Sequence, residues 1–265
     1  MQRNHITRMA ILASGSSGNA ALLQTGKTNI LIDAGISAKR LTMSIGAFNL
    51  RPDDLNGIVI THEHSDHIKG LGVFLKKTSV PLYCRAGTAT EILRKFPQLC
   101  DNIVEISDFF AIGNVSCEAF DIDHDAADPV GYAFSYKRIK VGYCTDIGRM
   151  TATVREKLCD CDILTLESNH DPEMLKRGSY PEFLKARISG IRGHLSNLEA
   201  GVTLAKLHRA KRCIAFLAHL SRENNRPAVA VETVKNVLID HNICQLSELE
   251  VRLSHPDTVV SCEIV

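Results

Sequence analysis

Thr61-His-Glu-His-Ser-Asp-His67 (THEHSDH) sets three imidazoles and two carboxylates into seven consecutive positions. Imidazole nitrogen and carboxylate oxygen are donors suited to zinc, manganese or iron, and a catalytic metal centre needs several of them converging with one position left open. Directly before the stretch, Gly57-Ile-Val-Ile60 is an apolar run that reads as a buried strand over 57–61. A chain leaving a strand end is turning, so neighbouring side chains fan toward one point instead of alternating across a sheet. His62 and His64 can then share one cation while Asp66 and His67 reach a second, with Glu63 and Ser65 as spacers. The alternative is a solvated polar loop, for which His-x-His-x-Asp-His is a demanding pattern.

Two cations need more donors, and the sequence sets them at comparable places. His124 closes the strand-like run 117–123, Asp146 follows 140–145, and His219 follows 212–218. Taken singly, His124 or His219 reads as readily as a structural residue; together they complete a coherent set. His5, His208, His241 and His255 lie near a terminus or in polar surroundings and read as ordinary histidines.

The remaining patterning organises the chain around these points. Residues 9–13, 20–25 and 29–33 read as a meander of short strands, and 37–48 as a helix with Ser37 as N-cap. A helix is predicted over 68–77, a strand then a helix over 80–97, and a strand-rich stretch over 102–144 with a Lys137-Arg138 turn. After Asp146 come a helix near 149–158, a strand at 162–167, helical stretches to about 208, a strand at 213–217, a helix over 227–240 and two closing strands. Two blocks, each running strands then helices, predict an α/β fold of two sheets packed face to face with helices outside, a four-layer αββα sandwich.

With 265 residues and 45% hydrophobic content the chain can bury a sizeable core, and the lack of a low-complexity tract points to a single domain over 1–265. A net charge of +1 supplies no bulk attraction to a polyanion, so a nucleic-acid partner has to be met by a local patch. Neither a signal-peptide core nor a membrane span is apparent, which gives the expectation of a soluble cytoplasmic protein. The nine cysteines are odd in number and scattered, so reduced thiols are expected, and the Cys159-x-Cys161 pair lacks a partner pair at zinc-ribbon spacing.

The His62-Glu-His64-Ser-Asp66-His67 pattern, the meander ending in Leu31-Ile-Asp33-Ala-Gly35 and the ordered later motifs resemble the metallo-β-lactamase superfamily over essentially the whole chain. That resemblance implies a first metal held by His62, His64 and His124, a second by Asp66, His67 and His219, Asp146 bridging them, and Asp33 supporting the ligand loop from behind. An aspartate at 146, where a cysteine would suggest β-lactam opening, points toward the dinuclear hydrolases of the superfamily. Ala13-Ser-Gly-Ser-Ser-Gly-Asn19, Phe120 to Tyr132 (FDIDHDAADPVGY), Glu167-Ser-Asn-His-Asp171, Gly193-His-Leu-Ser-Asn197 and Leu217 to Pro227 (LAHLSRENNRP) together resemble the YycJ/WalJ group, which is associated with 5′-to-3′ exonuclease action on DNA.

These motifs carry chemistry of their own. SGSSGN can present backbone N–H groups and the side chains of Ser16, Ser17 and Asn19 to phosphate oxygens, or it is simply a hairpin turn. His194 resembles a histidine that aids leaving-group departure in tRNA 3′-processing nucleases, the alternative being a cap on the helix beginning near Ser196. The expected reaction is phosphodiester hydrolysis assisted by two divalent ions, zinc or manganese and, compatibly, iron, with Asp66 as proton acceptor and His194 at the departing oxygen. The partner is DNA, with RNA as rival. A small-molecule phosphodiesterase or lactonase, and a noncatalytic regulatory protein holding metals for stability, are the other readings.

Overall fold

In the computed structural model, which describes residues 6–243 and 247–265, the first strand already sets out how the layers stack; His5 and Cys244 lie outside the described residues. Along β1 (Thr7–Ala13), Met9 and Ile11 face one core while Ala10 and Leu12 face another. A strand apolar on both faces has to lie between two layers, because successive side chains point to opposite sides.

β1, β2 (Ala20–Thr25) and β3 (Thr28–Ile32) form the antiparallel meander. The chain then crosses through α1 (Ala38–Gly46), where the Ser37 side chain accepts from the Arg40 N–H, to β4 (Gly57–Val59), parallel to β3. The helix predicted over 68–77 is instead broken into α2 (Ser65–Ile68), α3 (Leu71–Phe74) and a 3₁₀ turn at Leu75–Lys77. The break is Gly70, whose N–H donates to Ala34 O at 2.9 Å and where an added Cβ would stand 2.2 Å from Ile36 O. Close backbone approach of that kind excludes a side chain and interrupts the helix. β5 (Leu82–Cys84), α4 (Ala86–Lys95) and β6 (Ile103–Glu105) complete the parallel part.

The second sheet is built from β7 (Phe109–Ile112), β8 (Val115–Asp121), β9 (Val130–Tyr136) and β10 (Ile139–Cys144), all antiparallel neighbours. After α5 (Ala152–Leu158), β11 (Ile163–Glu167) runs parallel to β10. α6 (Pro172–Arg177), α7 (Glu182–Ile188) and α8 (Asn197–Lys206) lead to β12 (Cys213–Ala218), and α9 (Pro227–Asp240) to β13 (Leu249–Leu253), again parallel. The partition into two consecutive blocks fails at the end of the chain. β14 (Val260–Ile264) returns to the first sheet and pairs antiparallel with β1, giving the orders β14-β1-β2-β3-β4-β5-β6 and β13-β12-β11-β10-β9-β8-β7.

Three cores fill the spaces between four layers. One lies between the first sheet and α1–α4, including Leu41, Ile45, Leu71 and Ile92; one lies between the sheets, with Tyr132, Phe134 and Phe216; the third lies under α5, α8 and α9, with Leu158, Leu204 and Leu238. The αββα expectation therefore holds. Among the described residues the cysteines are free, and no helix is long and apolar enough to cross a membrane. Phe216 is wholly buried between the sheets, on the strand that leads to His219. Phe216→Ala is expected to destabilise the protein by about 3–5 kcal/mol in denaturant unfolding monitored by circular dichroism.

Candidate metal centre

The strands β3, β4, β8, β10, β11 and β12 deliver Asp33, His62, His124, Asp146, Glu167 and His219 at or just past their carboxyl ends, so both sheets empty their side chains into one cleft. Asp33, Asp146 and His219 adopt left-handed backbone conformations, with φ of 58°, 58° and 56°. Aspartate and histidine tolerate this region better than bulky residues, and the reversal turns each side chain inward where an extended strand would carry it past the site.

Four groups of donors meet there: His62, His64 and His124; Asp66, His67 and His219; His62, His67 and Asp146; and Asp146, Glu167, His194 and His219. In the first, His64 Nδ1 and His124 Nε2 face each other at 3.3 Å, while His124 Nδ1 donates to Gly193 O. In the second, His219 Nε2 lies 3.4 Å and His67 Nε2 3.5 Å from Asp66 Oδ2. Asp146 reaches both, with Oδ2 3.2 Å from His67 Nε2 and Oδ1 3.9 Å from His124 Nε2. His62 Nε2 is buried and lacks any hydrogen-bond partner, and Asp146 Oδ2, buried beside His67 Nε2, makes no hydrogen bond of good geometry. Leaving such atoms unpaired inside a protein is costly. Orphaned donor atoms facing a histidine and carboxylate cluster are what a cation site requires, so the residues present fit metal ions.

Behind the donors stands a set of buried carboxylates. Asp33 accepts from His67 Nδ1 at 2.8 Å, and its other oxygen takes the Thr61 N–H at 2.9 Å. Thr61, read from sequence only as a strand end, is a hub whose hydroxyl also lies 3.0 Å from His62 Nδ1. Glu167 does for the second sheet what Asp33 does for the first. Its Oε1 accepts from His219 Nδ1 at 2.8 Å and His194 Nδ1 at 2.9 Å, and Oε2 accepts the N–H groups of Ile147 and Leu195. Fixing one ring nitrogen against a carboxylate sets the tautomer and presents the other nitrogen to the centre. The sequence signal for Glu167 is a lone carboxylate directly after the apolar run Ile163-Leu-Thr-Leu166.

Burial opposes charge on His67 and His219, but Asp146 and the neighbouring carboxylates outweigh it and hold both imidazoles well above their ordinary range. His194 behaves likewise beside Glu167. His62 goes the other way, kept well below the ordinary range by burial and by His67. Burial would raise the Asp66 carboxyl, yet His67 and His219 pull it far below.

The other expected residues separate into two kinds. Ser16 is exposed, and the Ser17 hydroxyl and carbonyl take contacts from Arg222 and Lys69, giving a polar basic rim beside Asp66. Asn19 departs from the expectation of a phosphate contact. It is wholly buried, its Oδ1 accepts the Gly15 N–H, and its Nδ2 donates to Asp66 Oδ2 at 3.2 Å. Gly35 closes the same cradle, because a Cβ there would stand 1.6 Å from Asp66 O. Glu63 is buried, and its Oε1 accepts the Ala127 N–H at 2.9 Å. The helix after His194 is capped by Ser196 with Glu199 in a reciprocal capping box, which leaves His194 free of that duty. Asp171 caps α6. The asparagines of three quoted motifs interlock beneath the centre: Asn225 Nδ2 donates to Asn197 Oδ1 and Asn169 O, and Asn169 Nδ2 to His219 O.

A family model described as a β-lactamase superfamily domain matches residues 28–219, a span reaching from β3 to His219. The exodeoxyribonuclease YycJ of Bacillus anthracis is 36% identical over 232 residues, 86% of this chain and 88% of its own. The exodeoxyribonuclease WalJ of Streptococcus pneumoniae is 35% identical over 256 residues, 95% of each chain. Among solved structures, the metallo-β-lactamase fold protein YhfI of Bacillus subtilis aligns with a TM-score of 0.73 at 15% identity, over 98% of this chain and 100% of that one, a likeness of fold alone.

Two outcomes are expected. Glu167→Ala, which frees two rings at once, should weaken the uptake of zinc or manganese about 10–100-fold in competition with a chelating dye. Gly35→Ala, which displaces Asp66 without touching its chemistry, should lower metal stoichiometry while far-ultraviolet circular dichroism is retained.

Proposed function

The chain belongs to the β-lactamase superfamily, a family of metal-dependent hydrolases, and on that premise we propose that residues 1–265 form one phosphodiesterase domain acting in the cytoplasm as a 5′-to-3′ exodeoxyribonuclease. The observation that carries the reading is His194. Its side chain is 19% exposed at the rim of a largely buried cluster, and it is tied through Nδ1 to Glu167. The likeness to WalJ over 95% of both chains supports DNA as the substrate.

His62, His64 and His124 would hold one divalent ion and Asp66, His67 and His219 a second, with Asp146 between them; zinc or manganese is the assignment, and iron suits the same donors. Bound there, the ions would supply Lewis acidity, lowering the pKa of water toward about 7 and neutralising charge at the phosphate. The protein's own residues do the rest. Asp66, held by Asn19 and with its side chain 22% exposed, orients the attacking water and accepts its proton. His194 carries its free Nε2 to the departing oxygen, and the Glu167 carboxylate favours the protonated ring that can donate there. Ser16 and Ser17, with Lys69 and Arg222 beside them, give the strand's phosphates donors at the rim. Lys137 and Arg138 sit in the turn that starts β10, at the opposite end of that strand from Asp146, and take no part.

The test is incubation of end-labelled single-stranded DNA, duplex DNA and RNA with the metal-loaded protein. Stepwise release of mononucleotides from the 5′ end of DNA is expected, and cleavage confined to RNA would overturn the assignment. Asp66→Asn should abolish turnover with an unchanged melting temperature; a near-normal rate would remove Asp66 from its role. Binding to DNA should weaken steeply as salt is raised, since phosphate contacts release counterions.

A further inference from the structure

His170 follows Asn169, which donates to His219 O, yet it takes no part in the centre. It is 3% exposed, its Nδ1 is buried without a partner, and its ring makes no hydrogen bond. His170 lines an open cavity of about 300 Å³ between α6 and α7. Pro172, Leu175 and Ala186 give the cavity apolar walls, and Lys176 and Lys185 bring ammonium groups to it. Lys185 is engaged by Glu182 and by Lys176 O, so its charge is already held in place.

The cavity adjoins the catalytic cleft on two sides. His170 is one residue from Asn169, and Ser189, also in its wall, is one residue from Ile188, whose carbonyl accepts the His194 N–H at 2.8 Å. The segment carrying it is unlike the rest of the fold. Residues 172–192 hold five basic and two acidic side chains, a local charge of +3 on a chain whose total is +1. α7 buries none of its residues, and Phe183 and Ile191 are 76% and 65% exposed. Exposed aromatic and apolar groups among cations are what a single nucleic-acid strand uses for stacking and phosphate contact.

We propose that the cavity between α6 and α7 receives one nucleobase of the single strand being fed to the metal centre, with His170 reading its edge. A volume near 300 Å³ is at the small end of ligand pockets, the range for a single base and not an extended ligand. Apolar walls take the faces of the ring, as in enzymes that hold an unstacked base. Burial lowers the pKa of His170 and so favours the neutral imidazole, and because Nδ1 is enclosed it is Nε2 that meets the base, as a single donor or acceptor set by the tautomer. The cations of 172–192, of which Arg177, Lys185 and Arg187 are paired with Glu173, Glu182 and Asp125, would meet the backbone on either side.

The inference rests on the nuclease reading and is tested apart from hydrolysis. Single strands with phosphorothioate linkages, each lacking the base at one position counted from the 5′ end, are titrated against the full wild-type chain by fluorescence anisotropy. Loss of the base at one position should raise Kd about tenfold, the scale of a single pocket contact, with the other positions nearly flat. Ala186→Phe, which fills the cavity from an exposed helix position, should raise Kd for the intact strand by a similar factor and add nothing to the loss at that position. A flat abasic scan, additive losses, or no binding of any strand overturns the pocket. Position-specific binding without nucleotide release would keep the pocket and sink the nuclease reading, while hydrolysis with a flat scan would do the reverse.

Discussion

Three carboxylates, Asp33, Asp146 and Glu167, are 0%, 2% and 0% exposed, and Asp66 lies among the same rings. Burying several negative charges so close together is untenable unless positive charge and hydrogen-bond donors surround them. Most of the local architecture follows from this constraint. Backbone N–H groups of Thr61, Ile147 and Leu195 are aimed at carboxylate oxygens, and His67 and His219 each spend one nitrogen on a carboxylate. Asp146 and the neighbouring carboxylates hold those two imidazoles well above their ordinary range, which is the electrical counterpart of a site shaped for cations.

The fold meets the constraint by symmetry of design between its halves. Each sheet contributes one buried carboxylate that orients a histidine, Asp33 behind His67 and Glu167 behind His219. Each does so from the carboxyl end of a parallel strand. The left-handed turns at Asp33, Asp146 and His219 are strained positions of order 1–3 kcal/mol each, held because the surrounding hydrogen bonds over-determine them. The ends of β3, β10 and β12 are therefore where stability is given up for geometry.

What the sequence made legible was whatever chemistry it concentrates. THEHSDH is contiguous, and His124, Asp146 and His219 stand out because each follows a strand-like run. Glu167 ends such a run too, but a carboxylate partnered through other residues' rings leaves no spacing pattern behind. Asn19 looked like a loop residue offered to solvent; its burial depends on Gly35 and Asp66, which meet it only in three dimensions. The break at Gly70 arises from contact with Ala34 and Ile36, and so was invisible to a reading of local periodicity. His170 carries no spacing signal of its own, and only the cavity beside it gives it a distinct character.

The pairing of β14 with β1 reaches beyond architecture. β1 is an apolar strand whose outer edge is completed only by residues 260–264, some 250 positions later. At about 5–20 residues per second of synthesis, that edge waits roughly 10–50 s for its partner. An unpaired apolar edge is a template for pairing with other chains. Until residues 260–264 emerge, that edge of the nascent chain stays open to pairing with other chains, and slower elongation lengthens the interval.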